Sequence, residues 1–154
     1  MIRFTENGVV FNMRTAGIII EDGYVFLERK NSDDFWSIPG GRTEFMEKTE
    51  KTVIREYKEE INAQIQVLRQ VWITEDFFVY EDMQYHEVGF YYLVELLTES
   101  LKVKDIDHIG KEGKENLIYR WFKLDELHNI PIYPLFLKEG LKNIPSRLTK
   151  VVQE

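Results

Sequence analysis

The chain has 154 residues, of which 44% are hydrophobic and 31% are charged, proportions typical of a soluble globular protein with a real core. Its 27 acidic residues outnumber its 20 Lys and Arg residues, and the resulting net charge of −7 argues against sequence-independent nucleic-acid binding. Because there are no cysteines, disulfides, thiolate catalysis and Cys-based zinc sites are excluded. We expect one domain that spans residues 1–154.

The sequence carries no evident targeting or membrane-spanning segment. Residues 1–7 lack the apolar core of a signal peptide. The longest apolar run, residues 88–94, is far shorter than the roughly 20 residues that cross a bilayer. We therefore expect a cytoplasmic protein without a membrane partner.

The first predicted elements are strands. Residues 1–13 are expected to pair as an edge strand. Residues 16–20 and 24–27 are expected to form a β-hairpin, with Asp22-Gly23 as its turn. Since these two apolar runs are continuous rather than alternating, the strands are predicted to be buried on both faces.

Residues 41–63 predict a loop that runs into an amphipathic helix. One side of this helix is apolar and holds Val53, Ile54, Tyr57 and Ile61. A neighbouring side carries Glu56, Glu59 and Glu60, although like charges at this spacing cost roughly 0.2–0.5 kcal/mol per pair. Such a locally unfavourable cluster often marks a functional site, and carboxylates without His or Cys suit Mg²⁺ or Mn²⁺. Taken alone, the same spacing also fits an ordinary solvated acidic face.

The second half of the chain alternates strand patterns with polar stretches. Strands are predicted at residues 64–75, 86–97 and 119–122, a loop or mobile insertion at 98–116, a turn or helix at 124–127, and a final helix at 134–143. Strands combined with two helices predict an α+β fold of α/β/α layers.

The helix and the loop before it carry a spaced motif. Gly41 is followed after five residues by Glu47, and seven residues later come Arg55-Glu56 and then Glu59-Glu60. This pattern closely resembles the Nudix box of the MutT-like Nudix hydrolases. The preceding segment, residues 36–41, resembles the Trp-x-Leu-Pro-Gly-Gly sequence that commonly leads into that box.

Three positions depart from the family pattern. Tyr57 and Ala63 stand where the family has bulky aliphatic residues, and Asn62 stands where it has Gly. Tyr57 is large enough to pack, and Asn tolerates the left-handed conformation that ends many helices. None of the departures removes a charged group.

The resemblance implies the Nudix fold, a mixed sheet between helices, over about residues 13–143. It also implies hydrolysis of a pyrophosphate within a nucleoside diphosphate linked to another moiety. The implied Mg²⁺ ligands, with Mn²⁺ as an alternative metal, are Glu56, Glu59, Glu60 and a carbonyl of Gly40 or Gly41. The implied role of Glu47 is that of an outer or water-mediated ligand, and Arg55 is expected to orient Glu47 or its neighbours.

The general base and the substrate contacts are less constrained. In some relatives the base lies outside the box, and Glu87 and Glu95 are the candidates here. Substrate contacts are assigned to two arginines for phosphates and two aromatic residues for stacking: Arg29, Arg42, Trp36 and Tyr80. The same four residues also fit ordinary surface and core positions.

Three function classes follow. The first is a metal-dependent hydrolase of a small nucleotide-like substrate, the second a catalytically silent Nudix-fold nucleotide-binding or regulatory module, and the third an acidic α+β protein with a fortuitous box. The complete set of box glutamates favours the first class, and the intact residues 36–41 count against the third. The hydrophobic edge strands are compatible with a homodimer.

Overall fold

The computed structural model describes all 154 residues. Ten strands and two α-helices follow one another along the chain. They are β1 (Arg3–Glu6), β2 (Val9–Ile18), β3 (Ile20–Glu21), β4 (Tyr24–Lys30), β5 (Gly40–Arg42), α1 (Thr49–Ile61), β6 (Ile65–Tyr80), β7 (Met83–Leu96), β8 (His108–Glu112), β9 (Glu115–Lys123), α2 (Leu137–Gly140) and β10 (Thr149–Gln153). Two short 3₁₀ segments lie at Glu99–Lys102 and Leu124–Asn129. Neither α-helix has the length and apolar character that crossing a membrane requires.

The strands form two sheets. The first has the order β1-β2-β7-β6-β10, and β5 adds to β2; the second has the order β3-β4-β9-β8. The β2–β7 and β6–β10 pairs are parallel and the others are antiparallel. The prediction of an α+β fold with a mixed sheet is therefore confirmed.

Alternate residues of the central strands belong to two separate hydrophobic clusters. Val25 and Leu27 belong to one cluster, whereas Phe26 belongs to the other, which also contains Val53 and Tyr57 of α1. All three β4 side chains are completely buried. The continuous apolar runs thus reflect strands buried on both faces, as predicted.

The predicted hairpin is confirmed at its turn and corrected at its first strand. Asp22 and Gly23 both have positive φ, 54° and 80°, as a two-residue hairpin turn requires. Residues 16–18, however, belong to β2 in the first sheet, and only Ile20–Glu21 pairs with β4. The chain passes from one sheet to the other at this point, which an apolar run alone does not reveal.

Two predictions for the second half are wrong, and one strand was not predicted. Residues 98–116 are not a loop, because they contain a 3₁₀ segment and β8, whose polar composition suits a strand at the edge of a sheet. The final helix is a single turn, α2, held by the buried side chains of Leu137 and Leu141. Residues 149–153 form β10, which no local pattern indicated.

Candidate active site

The position of α1 is fixed by its apolar side and by its C-terminus. The hydroxyl of Tyr57 donates a 2.8 Å hydrogen bond to the carbonyl of Gly17 in β2. A Cβ atom at Gly17 would collide with Val53 and Tyr57, so glycine permits this close approach. Asn62 ends the helix with φ 54° and ψ 35°, the left-handed conformation that we predicted for this position.

The acidic side of α1 faces a cleft of about 860 Å³. Glu56, Glu59 and Glu60 line this cleft together with Gly40 and Gly41. The other walls come from the first sheet and from strands β4, β8 and β9 of the second sheet. The structure therefore brings together all five residues that the resemblance implied as metal ligands.

Arg55 connects three of the carboxylates. It donates to both oxygens of Glu47, from Nε over 2.7 Å and from Nη2 over 2.9 Å. Its Nη1 donates to Glu56 over 2.7 Å and to Glu59 over 3.2 Å. The bonds from Arg55 lower the pKa of Glu47 to about 2, and the same bonds raise the pKa of Arg55 above its already high ordinary value. Glu47 does not line the cleft and lies behind it, against Arg55.

Glu60 is held differently from the other box glutamates. Its side chain is buried, and it accepts a 3.1 Å hydrogen bond from the hydroxyl of Tyr119 in β9. Burial, followed by the charge of Glu28, raises the pKa of Glu60 well above the ordinary value. Tyr119 was not identified in the sequence, because its contact with α1 depends on how the second sheet packs.

Glu28 is a second buried carboxylate of the cleft that sequence reasoning missed. Arg14 Nη2 lies 3.4 Å from one of its oxygens, and its other oxygen is buried without a hydrogen-bond partner. Burial raises its pKa, and the positive charge of Arg14 opposes the rise. A charged residue directly after the apolar residues 24–27 was the available signal, since such a position rarely holds a charge without a reason.

The donor set fits a hard divalent cation. It consists only of carboxylate and backbone oxygens, and a Cβ atom at Gly41 would collide with the carboxylate of Glu56, so the backbone stands directly against that group. No three acidic or His side chains already stand in a coordinating arrangement. Because Arg55 contacts both Glu56 and Glu59, those side chains would reorient to coordinate a cation.

Of the four residues assigned to substrate contacts, three line the cleft and one does not. Arg29, Arg42 and Tyr80 line the cleft, and Tyr80 donates to Asp33 over 3.0 Å. Trp36 does not line it. Its ring packs against Phe122 in the core, with ring centroids 4.9 Å apart, which leaves it unavailable for stacking on a substrate.

The two general-base candidates are also separated. Glu87 lines the cleft and accepts a 2.6 Å hydrogen bond from Asn12. Glu95 is exposed and lies eight residues further along β7, roughly 26 Å away at the rise of a strand. The placement of Glu95 therefore contradicts its candidacy.

The mixed-sheet fold thus places an acidic helix, whose carboxylates are linked by Arg55, beside a cleft. The sequence model of the NUDIX domain matches residues 11–143. That match covers most of the chain, and the chain belongs to the NUDIX family.

Solved structures agree with this fold. A NUDIX hydrolase from Nitrosomonas europaea aligns with a TM-score of 0.65 at 19% identity, over 93% of this chain and 79% of that one. An ADP-ribose pyrophosphatase from Streptococcus suis aligns with a TM-score of 0.61 at 20% identity, over 91% of this chain and 98% of that one. The mMutator MutT protein from Bacillus halodurans aligns with a TM-score of 0.60 at 22% identity, over 92% of this chain and 89% of that one. No curated protein matches the sequence significantly.

Proposed function

We propose that this chain is a Mg²⁺- or Mn²⁺-dependent pyrophosphohydrolase that cleaves a pyrophosphate bond in a small nucleoside-diphosphate-linked substrate. The observation that carries the proposal is the convergence of Glu56, Glu59 and Glu60 on one wall of the cleft. Phosphoryl transfer requires positioning and charge neutralisation more than covalent chemistry, so an oxygen-lined cleft suits it. The ADP-ribose pyrophosphatase among the similar structures supports the same reaction class.

In this proposal Glu56, Glu59, Glu60 and a carbonyl of Gly40 or Gly41 hold the cation. When bound, the cation neutralises phosphate charge and acidifies a water molecule. Arg55 orients Glu56 and Glu59 and is itself held by the bidentate contact with Glu47.

The remaining cleft residues bind the substrate. Arg29 and Arg42 provide positive charge for phosphate groups, which the net charge of −7 would otherwise repel. Tyr80 presents an aromatic edge near Tyr85, with ring centroids 6.1 Å apart. Of the two general-base candidates, only Glu87 lies where it could contact substrate or water in the cleft.

The proposal is tested by product release from a substrate panel. The panel holds nucleoside triphosphates, ADP-ribose, sugar nucleotides, dinucleoside polyphosphates and triphosphorylated RNA, each with Mg²⁺, Mn²⁺ or chelator. We expect metal-dependent cleavage that Glu60→Gln abolishes and that Glu95→Gln, the same charge change outside the cleft, leaves intact. Cation binding without cleavage would favour the catalytically silent module. Failure to bind a divalent cation would contradict both the hydrolase and the silent module.

A further inference from the structure

A row of polar side chains crosses the cleft-facing surface of the first sheet, on strands rather than on α1. Asn12 in β2 is the Cα partner of Glu87 in β7, and Glu87 is the Cα partner of Asp76 in β6. Residues in register on neighbouring strands share one face, and all three side chains line the cleft. We refer to Asn12, Asp76 and Glu87 as the acceptor row.

The acceptor row has more hydrogen-bond acceptors than the protein satisfies. Asn12 is only 2% exposed; its Nδ2 donates to Glu87 over 2.6 Å, whereas its Oδ1 is buried without a partner. Asp76 is buried next to Glu87, and neither carboxylate forms a direct ion pair; Arg14 pairs with Glu28, although the charge of Glu87 also acts on it. A buried acceptor without a partner, such as Asn12 Oδ1, requires an explanation, and a donor supplied by a ligand is one.

The charge of this row is costly for the protein alone. Burial, followed by the charge of Glu87, raises the pKa of Asp76 to about 6. A fold under no other constraint would gain stability from an uncharged side chain at this position. The arrangement therefore favours a functional use of the carboxylate over a structural one.

A stacked aromatic pair adjoins the row. Phe78 and Tyr85 are Cα partners, two residues beyond Asp76 and Glu87 on the same strands and the same face. Their rings are stacked with centroids 5.1 Å apart and an interplanar angle of 7°, and both side chains line the cleft. A ligand at the acceptor row would thus meet acceptors on one side and an aromatic pair on the other.

We propose that the acceptor row and the Phe78–Tyr85 pair form a subsite for a planar nitrogen ring that carries an exocyclic amino group, as amino-bearing nucleobases do. The amino N–H groups satisfy the row, and the ring contacts the aromatic pair. A ring with a carbonyl in place of the amino group would direct an acceptor at two carboxylates. The inference rests on the nucleotide-like substrate proposed above, and it gives Glu87 a binding role in place of proton transfer.

The test measures nucleoside binding in chelator, without metal or phosphate, by NMR titration of the ¹⁵N-labelled side-chain amide of Asn12. Guanosine and inosine differ only by the exocyclic amino group, as do adenosine and purine riboside. We expect the amino-bearing member of each pair to bind roughly tenfold more tightly, because its absence leaves charged acceptors unpaired. The Asn12 amide resonance should shift on binding.

Asp76→Asn should remove most of this preference and raise the melting temperature, whereas a purely structural Asp76 would lower it when replaced. Glu75→Gln is the matched control: it makes the same charge change on the same strand but lies outside the cleft, in an ion pair with Lys150. This control should keep the preference for amino-bearing nucleosides.

Equal binding within each nucleoside pair, no binding up to the solubility limit, or an unchanged preference in Asp76→Asn would overturn the subsite. Because the assay needs no cleavage, its result is separate from the hydrolase proposal. A chain that binds amino-bearing nucleosides selectively but cleaves nothing keeps the subsite and contradicts the hydrolase. A chain that cleaves substrate but does not select amino-bearing nucleosides keeps the hydrolase proposal and contradicts the subsite.

Discussion

Replacing Tyr119 by Phe is expected to weaken divalent-cation binding while preserving the fold. Arg55 holds Glu47, Glu56 and Glu59, whereas the side chain of Glu60 depends on the hydroxyl of Tyr119, 3.1 Å away. The substitution removes only this hydroxyl. The ring, 5.4 Å from that of Phe26 between centroids, remains in place.

The size of the effect follows from the surroundings of the bond. Both side chains are more than nine-tenths buried, at 1% exposure for Tyr119 and 8% for Glu60, so water does not replace the lost donor. Once Glu60 has lost its proton to bind a cation, the hydrogen bond from Tyr119 is one to a charged group, and such a bond contributes about 1.5–3 kcal/mol. Partners that orient metal ligands typically change metal affinity by about 10–100-fold when removed. We expect Tyr119→Phe to raise the dissociation constant for Mn²⁺ within this range.

Tyr57→Phe provides the matched control. Its hydroxyl is equally buried and donates to the carbonyl of Gly17, which is not a proposed ligand. Each variant should lose about 1 kcal/mol of the free energy of unfolding, measured by urea denaturation in chelator. Only Tyr119→Phe should lose affinity, measured by titration calorimetry with Mn²⁺. The reasoning is refuted if Tyr119→Phe binds Mn²⁺ like the unmodified protein, or if Tyr57→Phe loses as much affinity.

Two further expectations concern protonation. Burial and the charge of Glu28 raise the pKa of Glu60, so a proton must leave this carboxyl group before a cation binds. The affinity for Mn²⁺ should therefore increase with pH, and Glu60→Gln should reduce that pH dependence in calorimetric titrations. An affinity independent of pH in the unmodified protein would contradict this expectation. Arg55 lowers the pKa of Glu47 from 4.5 to about 2, so the ionised carboxylate contributes stability that is complete above about pH 4.5 and is lost as the pH falls through 2. Glu47→Gln should therefore cost about 1–3 kcal/mol at pH 7 and little near pH 2, as denaturant unfolding at both pH values would show.

The sequence predicted the acidic helix well because its signals are local. The side of α1 that carries Glu56, Glu59 and Glu60 follows from helical periodicity, and the left-handed end at Asn62 follows from the tolerance of Asn for that conformation. The fold class followed from the order of strand and helix patterns together with the motif.

The opposite wall of the cleft could not be predicted in the same way. Asn12, Glu28 and Asp76 reach the cleft, and Tyr119 reaches Glu60, through strand pairing and sheet packing between residues far apart in the chain. A period of two gives the face of a strand but neither its partner nor its register. Trp36 and Glu95 were misplaced for the same reason, because only the packed sheets distinguish core and edge from cleft.

The two parallel pairings have a kinetic consequence. Val9 pairs with Gln84 and Trp72 pairs with Thr149, so each joins stretches about 75 residues apart. Contacts this distant in sequence form slowly, because the chain loses the entropy of closing a long loop before it gains the contact. The β2–β7 pairing is also the one that aligns Asn12 with Glu87. We therefore expect the cleft-facing surface of the first sheet to form late in folding and together with the sheet, so that recovery of the nucleoside binding proposed above, after dilution from denaturant, would report the formation of long-range native structure.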